Sequence, residues 1–151
     1  MKCFLRTFKL RLKDCYMQEG NSANNSSERY EWYSSFKTNM CLEEYFSSVY
    51  IKKYRDALIR FRFGINDLKA NIRYQNMPDL FCPFCHQIED ERHFLLSCHA
   101  YDDLRKKYLT WTLGRRPSTR LCCLVMQNTD ATKTRLLAMY IYYALNHRKN
   151  T

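Results

Sequence analysis

The sequence predicts a mostly α-helical fold, one small helical domain with a short cysteine-rich unit set into it, and three observations predict it. Only three Gly and three Pro occur in 151 residues, too few for the turns that an all-β chain needs. The composition is 46% apolar and 15% aromatic, which describes a chain that packs a core. In its clearest segments the apolar residues recur every three or four positions, the period of a helix with one buried face. At this length one compact domain buries roughly two-thirds of its unfolded surface.

Taken in order, Phe4, Leu5, Phe8, Leu12 and Tyr16 form the stripe of a first amphipathic helix, with Gly20 placed to end it. NSANNSS is a loop, and the aromatic stretch with Tyr30, Trp32, Tyr33 and Phe36 leads into a short helix around Leu42 to Val49. IKKYRDALIRFRFG places Ile51, Tyr54, Leu58 and Phe61 on one stripe, basic residues on the other faces, and Gly64 at the C-terminal cap. A short helix at Leu68 to Ile72 precedes a loop in which Pro78 disfavours helix. YDDLRKKYLTW is helical, LGRRPST breaks the chain through Gly114 and Pro117, and Lys133 to Arg148 is a helix with apolar residues almost all round. Such a helix lies at the centre of the core or beneath a partner.

Cys82, Cys85, His93 and Cys98 spell C-x2-C-x7-H-x4-C. Two cysteines in one tight turn and a His and Cys returning from the next element can complete a tetrahedron around Zn²⁺, with bonds of about 2.3 Å to sulfur and about 2.0 Å to nitrogen. Four protein ligands leave no position for an activated water, so one structural ion is expected, in a zinc-knuckle-like subdomain. His86 and His99 adjoin ligands and are expected to stand aside, while Cys3, Cys15, Cys41, Cys122 and Cys123 are expected as core thiols. Glu89, Asp90 and Glu91 read as a solvated first turn of the helix that carries His93, whose Phe94, Leu95 and Leu96 should pack the unit on the helical body. Asp102 and Asp103 follow Tyr101 directly. A polymerase site needs a spacer between aromatic residue and aspartates, so the pair reads instead as a helix N-terminus.

RFRFG ahead of the first cysteine, the C-x2-C-x7-H-x4-C spacing, EDE before the His, FLL after it and the helix opening YDDLRKKYL together resemble the C-terminal zinc-binding tail of non-LTR (LINE-type) retrotransposon reverse transcriptases. LKDCYMQEG and FKTNMCLEEYF resemble the connecting region of these proteins. The resemblance implies a non-catalytic module that helps to hold template RNA or target DNA beside a polymerase domain. It also implies that Cys82, Cys85, His93 and Cys98 are its zinc ligands. The chain carries no polymerase or endonuclease motif, so the resemblance is to an isolated tail, and no enzymatic activity is expected.

The formal net charge is +10, which favours polyanionic partners. Its distribution is uneven. Residues 82 to 103 hold Glu89, Asp90, Glu91, Asp102 and Asp103 against Arg92 alone, and the cysteine unit should therefore repel phosphate. Lys52, Lys53, Arg55, Arg60 and Arg62 lie on one side of it in the chain, and Arg105, Lys106, Lys107, Arg115 and Arg116 on the other. These ten residues are the expected contacts to RNA or DNA, through phosphate and shape rather than base sequence. Phe61 and Phe63 are either core or stacking surfaces for bases. Three segments follow: residues 1–73, a basic helical connecting region; 74–113, the CCHC unit; and 114–151, a linker and the apolar helix. The alternative is a protein-interaction module that docks through that helix, with a reverse transcriptase polymerase domain as its partner. No stretch reaches the ~20 apolar residues of a membrane span, and with reduced thiols an intracellular location, nuclear or cytoplasmic, is expected.

Overall fold

The computed structural model of the protein describes residues 32–33, 35–37, 43–71 and 80–150. The expected first helix, the NSANNSS loop, Gly20, Tyr30, the Pro78 loop, Cys3, Cys15 and Cys41 lie outside them. The described residues are mostly helical, as expected, and contain no strand. Their α-helices are α1 (Tyr45–Ser48), α2 (Lys52–Arg62), α3 (Asp102–Tyr108), α4 (Thr119–Met126) and α5 (Ala131–Lys149). Short 3₁₀ turns occupy Lys69–Asn71, His99–Tyr101 and Thr110–Thr112, and a π-turn spans His93–Ser97. Trp32 and Tyr33 are helical as well. None of these helices is long and apolar enough to cross a membrane.

The period of α2 turns Tyr54, Leu58 and Phe61 inward and leaves Lys52, Lys53, Asp56 and Arg60 exposed. Ile51 departs from the expected stripe: its extended backbone makes it the N-cap, and its side chain is exposed. Gly64 ends the helix at φ 63°, a left-handed backbone that suits a residue without Cβ. Ile65 N donates to Arg60 O at 2.8 Å and Gly64 N to Phe61 O at 3.2 Å, the paired bonds of a Schellman cap.

Asp130 starts α5, its carboxylate accepting from Thr132 N and Lys133 N, both at 2.9 Å. The helix then buries Leu137, Ala138, Tyr140, Ile141 and Ala144, packing on α1, α2 and α3. The face formed by these residues is therefore covered by this chain itself, so the helix lies in the core, while Leu136, Met139, Tyr142, Tyr143 and Leu145 are half-buried. Phe94 lies at the centre of the core, with ring centroids 5.4 Å from Phe61, 4.9 Å from Tyr101 and 5.9 Å from Tyr140. The Tyr140 hydroxyl donates to Phe94 O at 2.6 Å, so a buried phenol and a carbonyl freed by the π-turn satisfy each other. Phe61 belongs to this core, fully buried, and so is no surface for bases; Phe63 stacks on Tyr33 at 4.6 Å.

Candidate metal centre and the cations around it

The first two ligand positions are set by a reversal of the chain. Cys82 N donates to Gln87 O at 2.7 Å and His86 N to Cys82 O at 3.0 Å, while Phe81 and Ile88 face each other in an isolated antiparallel bridge. The turn closes because His86 adopts φ 55°, a conformation that His takes more readily than most residues with a Cβ. Cys82 and Cys85 thereby present their sulfurs to the same side.

The other two positions come from the next segment. Asp90 accepts from His93 N at 2.6 Å through its carboxylate and from Phe94 N at 3.0 Å through its carbonyl, which is the work of a helix cap rather than of a free surface acid. Cys98 N then donates to His93 O at 2.9 Å across five residues. On an ideal α-helix, residues five apart point about 140° away from each other. The wider π-turn brings His93 and Cys98 to one side, and π-turns are frequent where a helix serves a site.

The four ligand atoms all lie within 4.8 Å of one another. Cys82 Sγ and Cys98 Sγ are 3.7 Å apart, and Cys85 Sγ and Cys98 Sγ 4.0 Å. Sulfurs on a tetrahedral ion with bonds of about 2.3 Å stand about 3.8 Å apart, so these edges already match. His93 Nε2 is 3.1 Å from Cys85 Sγ, a few tenths inside the matching sulfur to nitrogen edge of about 3.5 Å. The group can hold a metal ion. Burial pushes the Cys98 thiol up to about 12 and raises that of Cys82, and desolvation lowers His93, keeping its imidazole in the neutral, ligating form. His86 and His99 are exposed and outside the group, as expected. Cys122 is a buried core thiol; Cys123 is half-buried, 3.7 Å from Ser35 Oγ.

The unit is tied into the fold by groups whose role the sequence did not disclose. Glu89, expected in a solvated turn, is 1% exposed. Its carboxylate accepts from Arg148 Nε at 2.6 Å and Nη2 at 2.8 Å, and from Lys69 N at 2.9 Å, joining the loop before the ligands to the end of α5. Glu91 is buried too. Phe84, inside the C-x2-C turn, stacks on His147 of α5 at 5.7 Å and 12°. Asp102 and Asp103 open α3 and pair with Arg105 at 2.5 Å and Lys106 at 3.3 Å, as helix-end acids do. Glu89 and Asp90 thus have interior partners, while Asp102 and Asp103 pair at the surface.

The ten expected phosphate contacts divide. Lys52, Lys53, Arg60, Lys106, Lys107, Arg115 and Arg116 are exposed, and Arg55 is half-buried, donating to Val49 O at 3.4 Å. Arg62 and Arg105 are corrections, each only 5% exposed. Arg62 grips both oxygens of Glu43 at 3.2 Å, donates to Met126 O at 2.5 Å and lies over the rings of Phe36 and Tyr45. Arg105 donates to Cys98 O as well as to Asp102, holding a cation beside a ligand position. Both are interior cations with protein partners and do not reach phosphate. Two residues outside the ten, Tyr142 and Lys149 of α5, line the cleft between α2 and α5 together with Lys53 and Arg60.

The chain matches no family model, no curated protein and no solved structure.

Proposed function

We propose that the chain is a non-catalytic, zinc-binding module that holds RNA or DNA through its exposed basic residues, in the manner implied by its resemblance to the tails of LINE-type reverse transcriptases. One observation carries the reading: three sulfurs and an imidazole nitrogen converge within 4.8 Å on elements that the rest of the fold fixes. Zinc suits that donor set, and with four protein ligands it has no open position for a reacting water, so its role is structural. The ion clamps residues 82–98, and the clamp fixes the elements that carry Lys52, Lys53 and Arg60 on one side and Lys106, Lys107, Arg115 and Arg116 on the other. Those side chains supply the phosphate contacts. Reduced thiols of this kind belong to an intracellular compartment, nuclear or cytoplasmic.

Two measurements test it. Purified protein should carry one zinc ion per chain, lost in the Cys82→Ser and Cys98→Ser variants. Anisotropy titrations with a labelled RNA or DNA oligonucleotide should show affinity that falls steeply between about 50 and 200 mM salt, because each phosphate contact releases counterions. Metal-free protein that folds and binds equally well, or affinity indifferent to salt, refutes the proposal.

A further inference from the structure

The cleft between α2 and α5 brings together a set of side chains that neither helix presents alone. Lys53 and Arg60 come from α2 and Tyr142 and Lys149 from α5, above a half-buried apolar floor that includes Ile59 and Leu145, around a cavity of about 430 Å³. Asp56 is the acid within it. Arg60 makes no ion pair among the described residues, and Lys149 has only an exposed pair with Asp67 at 3.2 Å, the kind of contact that contributes little and gives way to a stronger anion. The Lys53 ammonium lies over the rings of both Tyr54 and Tyr142, 5.1 Å from each centroid, which holds that cation in the cleft against an aromatic surface.

We propose that this cleft is the seat of a single nucleic-acid strand, the three cations taking its phosphates and the Tyr142 ring and apolar floor taking the face of a base. The inference rests on the nucleic-acid reading above and narrows it from any polynucleotide to an unpaired one. Charge complementarity selects a polyanion, and the mixture of cations with apolar and aromatic surface is the combination by which proteins hold unpaired strands. Width makes the same choice. Helices in contact have axes about 8–10 Å apart, so a groove between them admits one strand, whereas a duplex is broader than its own major groove of about 12 Å.

The test uses the zinc-loaded full chain and three labelled probes: a short oligouridylate, an oligothymidylate of the same length, and a duplex of that length. Either single strand should bind at least about tenfold more tightly than the duplex. The double variant Arg60→Glu, Lys149→Glu alters exposed positions only and should lower single-strand affinity about tenfold or more, with zinc content and circular dichroism unchanged. Tyr142→Ala should lower it about fivefold or more through lost stacking. Arg115→Glu with Arg116→Glu, phosphate contacts in the loop before α4, should weaken single strand and duplex by similar factors, whereas the cleft variants should weaken the single strands more than the duplex. If the loop variant abolishes binding while the cleft variants bind as the parent does, or if the duplex binds best, the cleft assignment falls and the nucleic-acid reading survives. If the parent chain binds none of the three probes, both fall together.

Discussion

His86 closes the C-x2-C turn at φ 55°, and it is the sole residue other than glycine with positive φ among those described. Left-handed backbone costs a residue with a Cβ about 1–2 kcal/mol, and the His86 ring is exposed with no part in the ligand group. His86→Gly should therefore keep its metal and match or exceed the parent in stability, by up to about 1 kcal/mol in chemical denaturation; loss of the ion would show that the imidazole ligates after all. Glu89 has the opposite character. Removing its charge strands Arg148 beside an apolar interior, so Glu89→Leu should cost about 3 kcal/mol, and Glu89→Leu combined with Arg148→Met should recover part of that in a double-mutant cycle. The four-residue group of Cys82, Cys85, His93 and Cys98 was legible in the sequence because a site able to hold a metal imposes a spacing on residue types. Arg62 and Arg105 were not, because what buries a cation is a partner distant in the chain or a backbone carbonyl: Glu43 for the first, Cys98 O for the second.

At the scale of elements, legibility follows length and periodicity. The helix expected at Lys133 to Arg148 is found at Ala131–Lys149, and α2 has its predicted stop and, Ile51 excepted, its predicted stripe. The short helix expected at Leu68 to Ile72 is a 3₁₀ turn at Lys69–Asn71, since three residues give no period to read. Helix α4 was not foreseen: its buried face, Leu121, Cys122, Val125 and Met126, spans barely two turns, and the Ser118 cap, whose hydroxyl accepts from Leu121 N at 3.1 Å, sits inside a stretch that reads as a break. The burial of Tyr54 on α2 and of Cys122 on α4 carries a prediction for alkaline solution. The Tyr54 phenol is pushed up to about 12, first by its hydrogen bond with Tyr143 at 3.0 Å and then by burial, and burial raises the Cys122 thiol. Unfolded, these groups lose their protons near 10 and 8.5. The folded chain holds them longer, so their contribution is complete below about pH 8.5 and is lost as pH rises toward about 12. Urea midpoints should stay level around pH 7 to 8 and fall steadily above about pH 9; a midpoint that rises there contradicts this packing.

At the scale of the whole molecule the cysteine–histidine unit and the helical body share one core. Phe94 is core, Phe84 stacks on His147, and Glu89 binds Arg148, so the ligand segment and the last turn of α5 support each other. A chelator should accordingly lower the melting midpoint by about 10 °C or more, given about 2–4 °C per kcal/mol for a domain of this size. Hydrogen exchange should rise first in residues 82–98 and in the final turn of α5 together; exchange confined to the loop would show the two to be independent. The three segments drawn from the sequence, 1–73, 74–113 and 114–151, follow chemistry along the chain, but the core is shared across them, because α2, α3 and α5 pack together. Helix α5 also comes after every element that packs on it. A ribosome making this chain would release α1, α2, the cysteine loop and α3 before the helix that covers them exists, leaving their apolar faces and nearby thiols open to chaperones and oxidants until residues 131–149 emerge.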